Sequence, residues 1–142
     1  MSSQSDQGGF PGGVDPEVID VGLARVLGIK YEVLDADRVV LSCHVTPQHL
    51  QAHGIVHGGV YCALVETAAS VGASLWFGER GRVVGSANQT DFLRAVRDGR
   101  LTATAVPVHR GRSQQLWTVD IVDDEGRLTA RGQVRLANLP VG

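Results

Sequence analysis

The run from Ile55 to Phe77 limits what this chain can fold into more than any other segment, because it is apolar almost throughout yet carries one carboxylate, Glu66, near its middle. Val60, Leu64, Val71 and Leu75 recur at helical spacing, so the run reads as a helix whose stripe of large side chains packs on a sheet. Its length approaches that of a membrane span. A central Glu, several Gly and Ser, and no further apolar flank point instead to the core helix of a folded domain. Burying a lone carboxylate is costly or forces it to take up a proton, so Glu66 needs a partner or has a chemical task. A solvent-facing Glu and a structural partner for a buried Arg are the plainer alternatives.

Strands surround this helix in the sequence. Ile29, Tyr31 and Val33 alternate with Lys30 and Glu32, a turn follows at Asp35 to Arg38, and Val39, Leu41, Cys43 and Val45 alternate again, which predicts a hairpin with one buried face. After the helix come blocks at Arg82 to Val96, Leu101 to His109, Leu116 to Val122 and Leu128 to Leu139. In the last, Leu128, Ala130, Val134 and Leu136 face one way and Thr129, Arg131, Gln133 and Arg135 the other. Turn chemistry at Arg97-Asp98-Gly99, Arg110-Gly111-Arg112 and Asp123-Asp124-Glu125-Gly126 predicts successive antiparallel pairing. Near the start, Asp15 caps a short helix opened by Pro16, carrying Val18, Ile19, Leu23 and Val26 and ended by Gly28. One long apolar helix wrapped by an antiparallel sheet is an α+β architecture.

The chain has 142 residues, 43% of them hydrophobic, which suits one domain over residues 14–142 after a Ser-, Gln- and Gly-rich tail at 1–13 that reads as disordered. A formal charge of −2 gives no overall basic field for nucleic acid or an anionic membrane, so neither is an expected partner. Cys43 and Cys62 lack metal-ligand spacing and no secretory leader precedes them, so two reduced thiols in a cytoplasmic protein are expected.

Small residues share the helix face of Glu66: Gly59, Cys62, Ala63, Ala69, Ser70 and Ala73. Such a face leaves room for a second helix or an elongated ligand, and Ser70, one turn on, can reach the carboxylate or a water beside it. Ser70 can equally bond back to its own helix. Upstream, Gln51-Ala52-His53-Gly54-Ile55-Val56-His57-Gly58-Gly59 turns from strand to helix, and its glycines can leave backbone N–H groups bare at the positive end of the helix dipole, a natural oxyanion site. Gly58 and Glu66 lie eight residues apart on one helix, roughly 12 Å at its rise per residue. Reacting groups must come within about 3.5 Å, so if both act on one carbonyl they belong to two chains.

Gln51, His57-Gly58-Gly59, Glu66 and Ser70 resemble the active-site pattern of the phenylacetate-type hotdog-fold thioesterases, with Glu where many members carry Asp, as in the Glu-bearing 4-hydroxybenzoyl-CoA thioesterases. The thioesterases that proofread aryl carrier domains are similar too. The resemblance covers most of the chain and includes Phe92-Leu93-Arg94 with Gly99, and Gly111-Arg112-Ser113. It implies a hotdog fold and hydrolysis of an acyl-CoA thioester, with CoA as part of the substrate and no other cofactor. It further implies Glu66 as nucleophile or general base, the Gly58 N–H polarising the carbonyl, Gln51 near that carbonyl, His57 holding the loop and Ser70 assisting hydrolysis. Phe92, Leu93 and Arg94, with His109, Arg110, Gly111, Arg112 and Ser113, would meet the nucleotide arm, Arg94, Arg110 and Arg112 at its phosphates. Homodimers with sites at the interface, and dimers of dimers, are the implied assemblies.

Four other readings stand beside this one. A non-catalytic acyl-CoA-binding module could use the same fold. His49, His53 and His57 recur at four-residue spacing, with His44 nearby, as a metal site on a helix would, but Pro47, Gly54 and the glycines after His57 argue against a single helix there. A hydratase lacks its own acid-base motif here, and Cys62 reads as packing rather than as an activated thiol.

Overall fold

The computed structural model describes residues 15–142; the tail read from residues 1–13 lies outside them. Helix α3, Gly58–Phe77, packs against one six-stranded sheet. The strands are β1 (Lys30–Asp35), β2 (Arg38–His44), β3 (Gly81–Phe92), β4 (Arg100–Arg110), β5 (Gln114–Val122) and β6 (Leu128–Pro140). All pairs are antiparallel, in the order β1-β2-β4-β5-β6-β3. This is the hotdog architecture, and the α+β reading holds.

The pairing order corrects the expectation of a simple meander. Arg97-Asp98-Gly99 does not close a hairpin: β3 pairs with β6 at one edge, and the chain then crosses to β4 beside β2. Local turn chemistry registers a reversal of direction but not which strand lies alongside. The hairpin reading is also too simple. A bulge between Tyr31 and Val33 shifts the register of β1, and β2 is buried from Val39 to Cys43 rather than on alternate positions.

The helix is held by close approach to the sheet. The Trp117 ring lies 2.6 Å from where a Cβ on Gly72 would be, and Val65 lies 2.5 Å from the equivalent position on Gly132. Trp117, Leu64, Val65, Val119, Ile121, Val134 and Leu136 are fully enclosed, each burial contributing about 1.5–3 kcal/mol. The packed face takes in only the first half of the stripe of large residues: Val60 and Leu64 are buried and Val71 and Leu75 half-buried, whereas Ala69 and Ala73, expected in the small-residue groove, are fully buried. In β6 Thr129 is buried as well, its hydroxyl donating to the Ile121 carbonyl at 3.0 Å.

The single N-terminal helix of the sequence reading is two, α1 (Pro16–Ile19) and α2 (Gly22–Val26), broken where Gly22 takes a left-handed φ of 57°. Asp15 does accept from the Glu17 N–H at 2.9 Å, but Val18, Leu23 and Val26 stay exposed, and Ile19, Ala24 and Leu27 pack against the core.

Candidate active site

The approach to α3 is built from bonds that fix Gln51, His57 and Gly58. Buried His49 accepts the Thr46 N–H at Nδ1 (2.9 Å), which leaves the proton on Nε2 to donate to the Leu27 carbonyl at 2.7 Å. Its backbone carbonyl accepts the His57 N–H at 2.8 Å. A tight turn follows Gln51, in which Gly54 at φ 77° donates to the Gln51 carbonyl at 2.9 Å and the Gln51 side-chain oxygen accepts from the His53 N–H. That contact commits the oxygen of the amide and leaves its NH2 as the group available to a ligand.

His57 is the N-cap of α3, its Nδ1 accepting the Gly59 N–H at 2.8 Å. The imidazole occupies the space of a Cβ on Gly59, at 2.9 Å, so the second glycine is required by the cap itself. The Gly58 N–H, one of the orphan donors of a helix start, has no acceptor among the described residues. Phe92 covers Gly58 closely, its ring 2.6 Å from a Cβ there, and stacks on Tyr61 with centroids 5.8 Å apart. A cavity of about 320 Å³ opens here, lined by Gln51, Ile55, Gly58, Tyr61, Leu93 and Arg94 among others. Five residues singled out from the sequence, Gln51, Gly58, Phe92, Leu93 and Arg94, therefore share one pocket.

Glu66 lies two turns further along α3 and does not line that pocket. Half-buried, it faces β3. Its Oε2 accepts from Asn88 Nδ2 at 3.1 Å, the same nitrogen reaches the Cys62 carbonyl at 3.1 Å, and Thr90 Oγ1 donates to Asn88 Oδ1 at 2.7 Å. The other oxygen, Oε1, lies against Gly85, beside a bulge in β3, where any side chain would displace it. Oε1 has no hydrogen-bond donor among the described residues. Gly85, Asn88 and Thr90 were not singled out from the sequence. The available signal was a strand, Gly85-Ser86-Ala87-Asn88-Gln89-Thr90, too polar to be wholly core.

Ser70, one turn beyond Glu66, makes no hydrogen bond to it; it borders a hollow of about 140 Å³ with Ile19, Val71 and Ser74. His109 and Arg110 end β4 and Gly111 to Ser113 form the β4–β5 turn, at the other end of α3, and Arg110 Nη1 is engaged by Asp37 at 2.9 Å and by the Ala36 carbonyl at 3.0 Å. Its guanidinium lies 5.4 Å from the Trp76 ring centre, near the C-terminus of α3. The two groups assigned to the nucleotide arm are thus at opposite ends of a helix roughly 30 Å long. One chain does not bring them together. Arg94 and Arg112 form no ion pair among the described residues.

Among the described residues no three His, Cys, Asp or Glu side chains converge as a metal site. The histidine series is divided between structural bonds, with His49 inside and His57 on the helix cap. Burial pushes the Cys43 thiol up, as expected of an inert core cysteine.

A core helix with a half-open carboxylate at its middle and a bare N–H at its start, wrapped by an antiparallel sheet, defines a hotdog-fold thioester hydrolase. The Thioesterase superfamily model matches residues 53–130, and the chain belongs to that family. The crystal structure of AziG from S. sahachiroi superposes with a TM-score of 0.83 at 52% identity, over 85% of this chain and 98% of that one. The 1,4-dihydroxy-2-naphthoyl-CoA hydrolase of Escherichia coli is 30% identical over 113 residues, 80% of this chain and 83% of the relative. The proofreading thioesterase EntH of Cronobacter turicensis is 34% identical over 105 residues, 74% of this chain and 77% of the relative.

Proposed function

We propose that this acyl-CoA thioesterase acts on an aromatic or short-to-medium acyl group, at two equivalent sites formed between two copies of the chain. The observation that carries the two-chain site is the placement of Gly58 and Glu66 on one straight helix, eight residues apart and in separate surroundings. A second observation supports the same reading. The twelve-residue strand β3 pairs with β6 on one side only and exposes Val84, Gly85, Ala87 and Asn88 beside Glu66. An open edge of that length invites pairing, and a second β3 about a two-fold axis would cover it while bringing each Glu66 towards the other chain. A dimer of such dimers is the larger assembly implied by the family resemblance. The free thiols Cys43 and Cys62 suit a cytoplasmic protein.

In this scheme the thioester carbonyl oxygen accepts from the Gly58 N–H and the Gln51 amide of one protomer, where the helix N-terminus favours the developing negative charge. Glu66 of the other protomer supplies the carboxylate. As nucleophile it attacks the carbonyl carbon, expels the CoA thiolate and leaves an anhydride that water then opens; as general base it takes the proton of the attacking water. Either route consumes one water and yields free acid and thiol. Asn88 holds Oε2 and turns Oε1 to the reaction, Ser70 borders the approach of water, and His57 keeps the helix start in place. Phe92, Leu93 and Arg94 flank the thiol arm at the pocket, and the His109–Ser113 segment meets the nucleotide from the far end of a helix. The name borne by the Escherichia coli relative favours an aromatic acyl group on CoA, and the resemblance to proofreading thioesterases keeps a carrier-protein thioester as the other form of the substrate.

Release of thiol from benzoyl-CoA by the wild type, lost in Glu66→Ala, is the expected result. A wild type that binds benzoyl-CoA without turning it over would make the chain a binding module. Full activity in a chain that sediments as a monomer would remove the shared site.

A further inference from the structure

We infer that Asn138 is a positioning residue for CoA recognition: through the carbonyls of Gly111 and Arg112 it fixes the β4–β5 turn so that Arg112 is presented to the phosphates of the nucleotide arm. The inference rests on the proposed role of that turn. Asn138, 6% exposed, donates from Nδ2 to the Gly111 carbonyl at 3.0 Å and to the Arg112 carbonyl at 3.3 Å, and its own N–H donates to the Ser113 carbonyl at 2.9 Å. Three consecutive residues of the turn are thus held by one side chain and one backbone group of β6.

The amide of Asn138 is itself oriented from the core. Its Oδ1 accepts from Gln115 Nε2 at 2.9 Å, and the same nitrogen of fully buried Gln115 donates to the Ala73 carbonyl of α3 at 3.2 Å. Gln115 Oε1 in turn accepts from Trp117 Nε1 at 2.8 Å. Every side-chain polar atom in the series has a partner, so neither amide can flip without breaking a buried bond. A tight turn between two neighbouring strands of a sheet does not need such a side-chain anchor in order to fold. Gly111 already closes it, with its N–H donating to the Gln114 carbonyl at 2.8 Å. What the extra bonds supply is a fixed direction for the exposed residues of the turn. Arg110 takes part of its own direction from Asp37 and Ala36. Arg112 has no ion-pair partner among the described residues and depends on the backbone that Asn138 holds.

Two substrates with the same acyl group and thiol arm separate positioning from general loosening: benzoyl-CoA, and S-benzoyl-pantetheine, which lacks the nucleotide. In Asn138→Ala the KM for benzoyl-CoA should rise about tenfold, the loss typical of one charge-assisted contact to phosphate, with kcat within about twofold and the pantetheine thioester unaffected. In an Arg112→Ala background the same change should then have almost no further effect on either KM, since Asn138 acts through Arg112. Asn138→Ser, which keeps one donor, carries the same comparison if the alanine variant does not fold. Equal rises in KM for both thioesters, or an undiminished effect in the Arg112→Ala background, would overturn the inference alone. A wild type that hydrolyses neither thioester removes the thioesterase reading and this inference with it.

Discussion

Two groups of polar side chains contact α3, one buried and one half-buried to exposed, and they are finished differently. Around Gln115 and Asn138, each donor and acceptor is matched, from Trp117 and Ala73 out to Gly111 and Arg112. Around Glu66, Asn88 and Thr90, the bonds stop one short: Oε2 is held and Oε1 has no donor among the described residues. A completed network in a low-dielectric setting stiffens the fold, whereas an acceptor kept in place with a free lone pair is available for chemistry. The contrast separates residues whose loss should unfold the protein from residues whose loss should silence it.

The largest effect should come from the open group. Glu66→Gln keeps shape and the Asn88 contact but removes the base or nucleophile, so kcat on benzoyl-CoA should fall about a thousandfold while stability moves by less than about 0.5 kcal/mol. Equal loss of fold and rate in denaturant and steady-state measurements would erase the distinction. Gln115→Ala tests the closed group from the other side. It leaves the Ala73 carbonyl, Trp117 Nε1 and Asn138 Oδ1 without their partner and should cost about 3 kcal/mol in urea unfolding. Asn88→Ala, between the two, should lower kcat about tenfold by releasing Glu66, with little change in the unfolding midpoint.

A smaller effect is expected at Tyr61. Its hydroxyl is buried without a hydrogen-bond partner, and burial raises its pKa more than the nearby Thr129 hydroxyl lowers it. Tyr61→Phe should therefore leave stability unchanged or raise it by up to about 1 kcal/mol in chemical denaturation; a loss of that size would reveal a third completed polar group. The smallest concerns the β5–β6 turn. Desolvation pushes the Asp123 carboxyl up, but hydrogen bonds from Arg127 and from the Glu125 backbone hold it below its ordinary value. Because the folded value is the lower one, the stabilisation is complete above about pH 4 and fades as pH falls through the folded value. The difference in melting temperature between wild type and Asp123→Asn should be largest near neutral pH and shrink in acid.

Much of this molecule follows from local sequence alone. The period of the apolar run fixed α3 within three residues of its N-terminal end, because a helix face shows in the spacing of its own residues. The four later strands were legible as strand-like blocks, the last from clean alternation, though the first ends at Phe92 rather than Val96, and the separation of Gly58 from Glu66 needed only the rise of a helix. Gln51, Gly58 and Phe92 to Arg94 were found as motifs and share a pocket. The Asn88 clamp was not legible, because its meaning depends on Asn88 facing Glu66 across 22 positions of chain. Nor was the pairing of β3 with β6, which leaves one edge of the sheet open beside the carboxylate. Spacing along the chain determined which groups this protein carries on its core helix. Only the tertiary structure decided which of them are satisfied and which are left free, since hydrogen-bond partners are set by contacts between segments far apart in sequence.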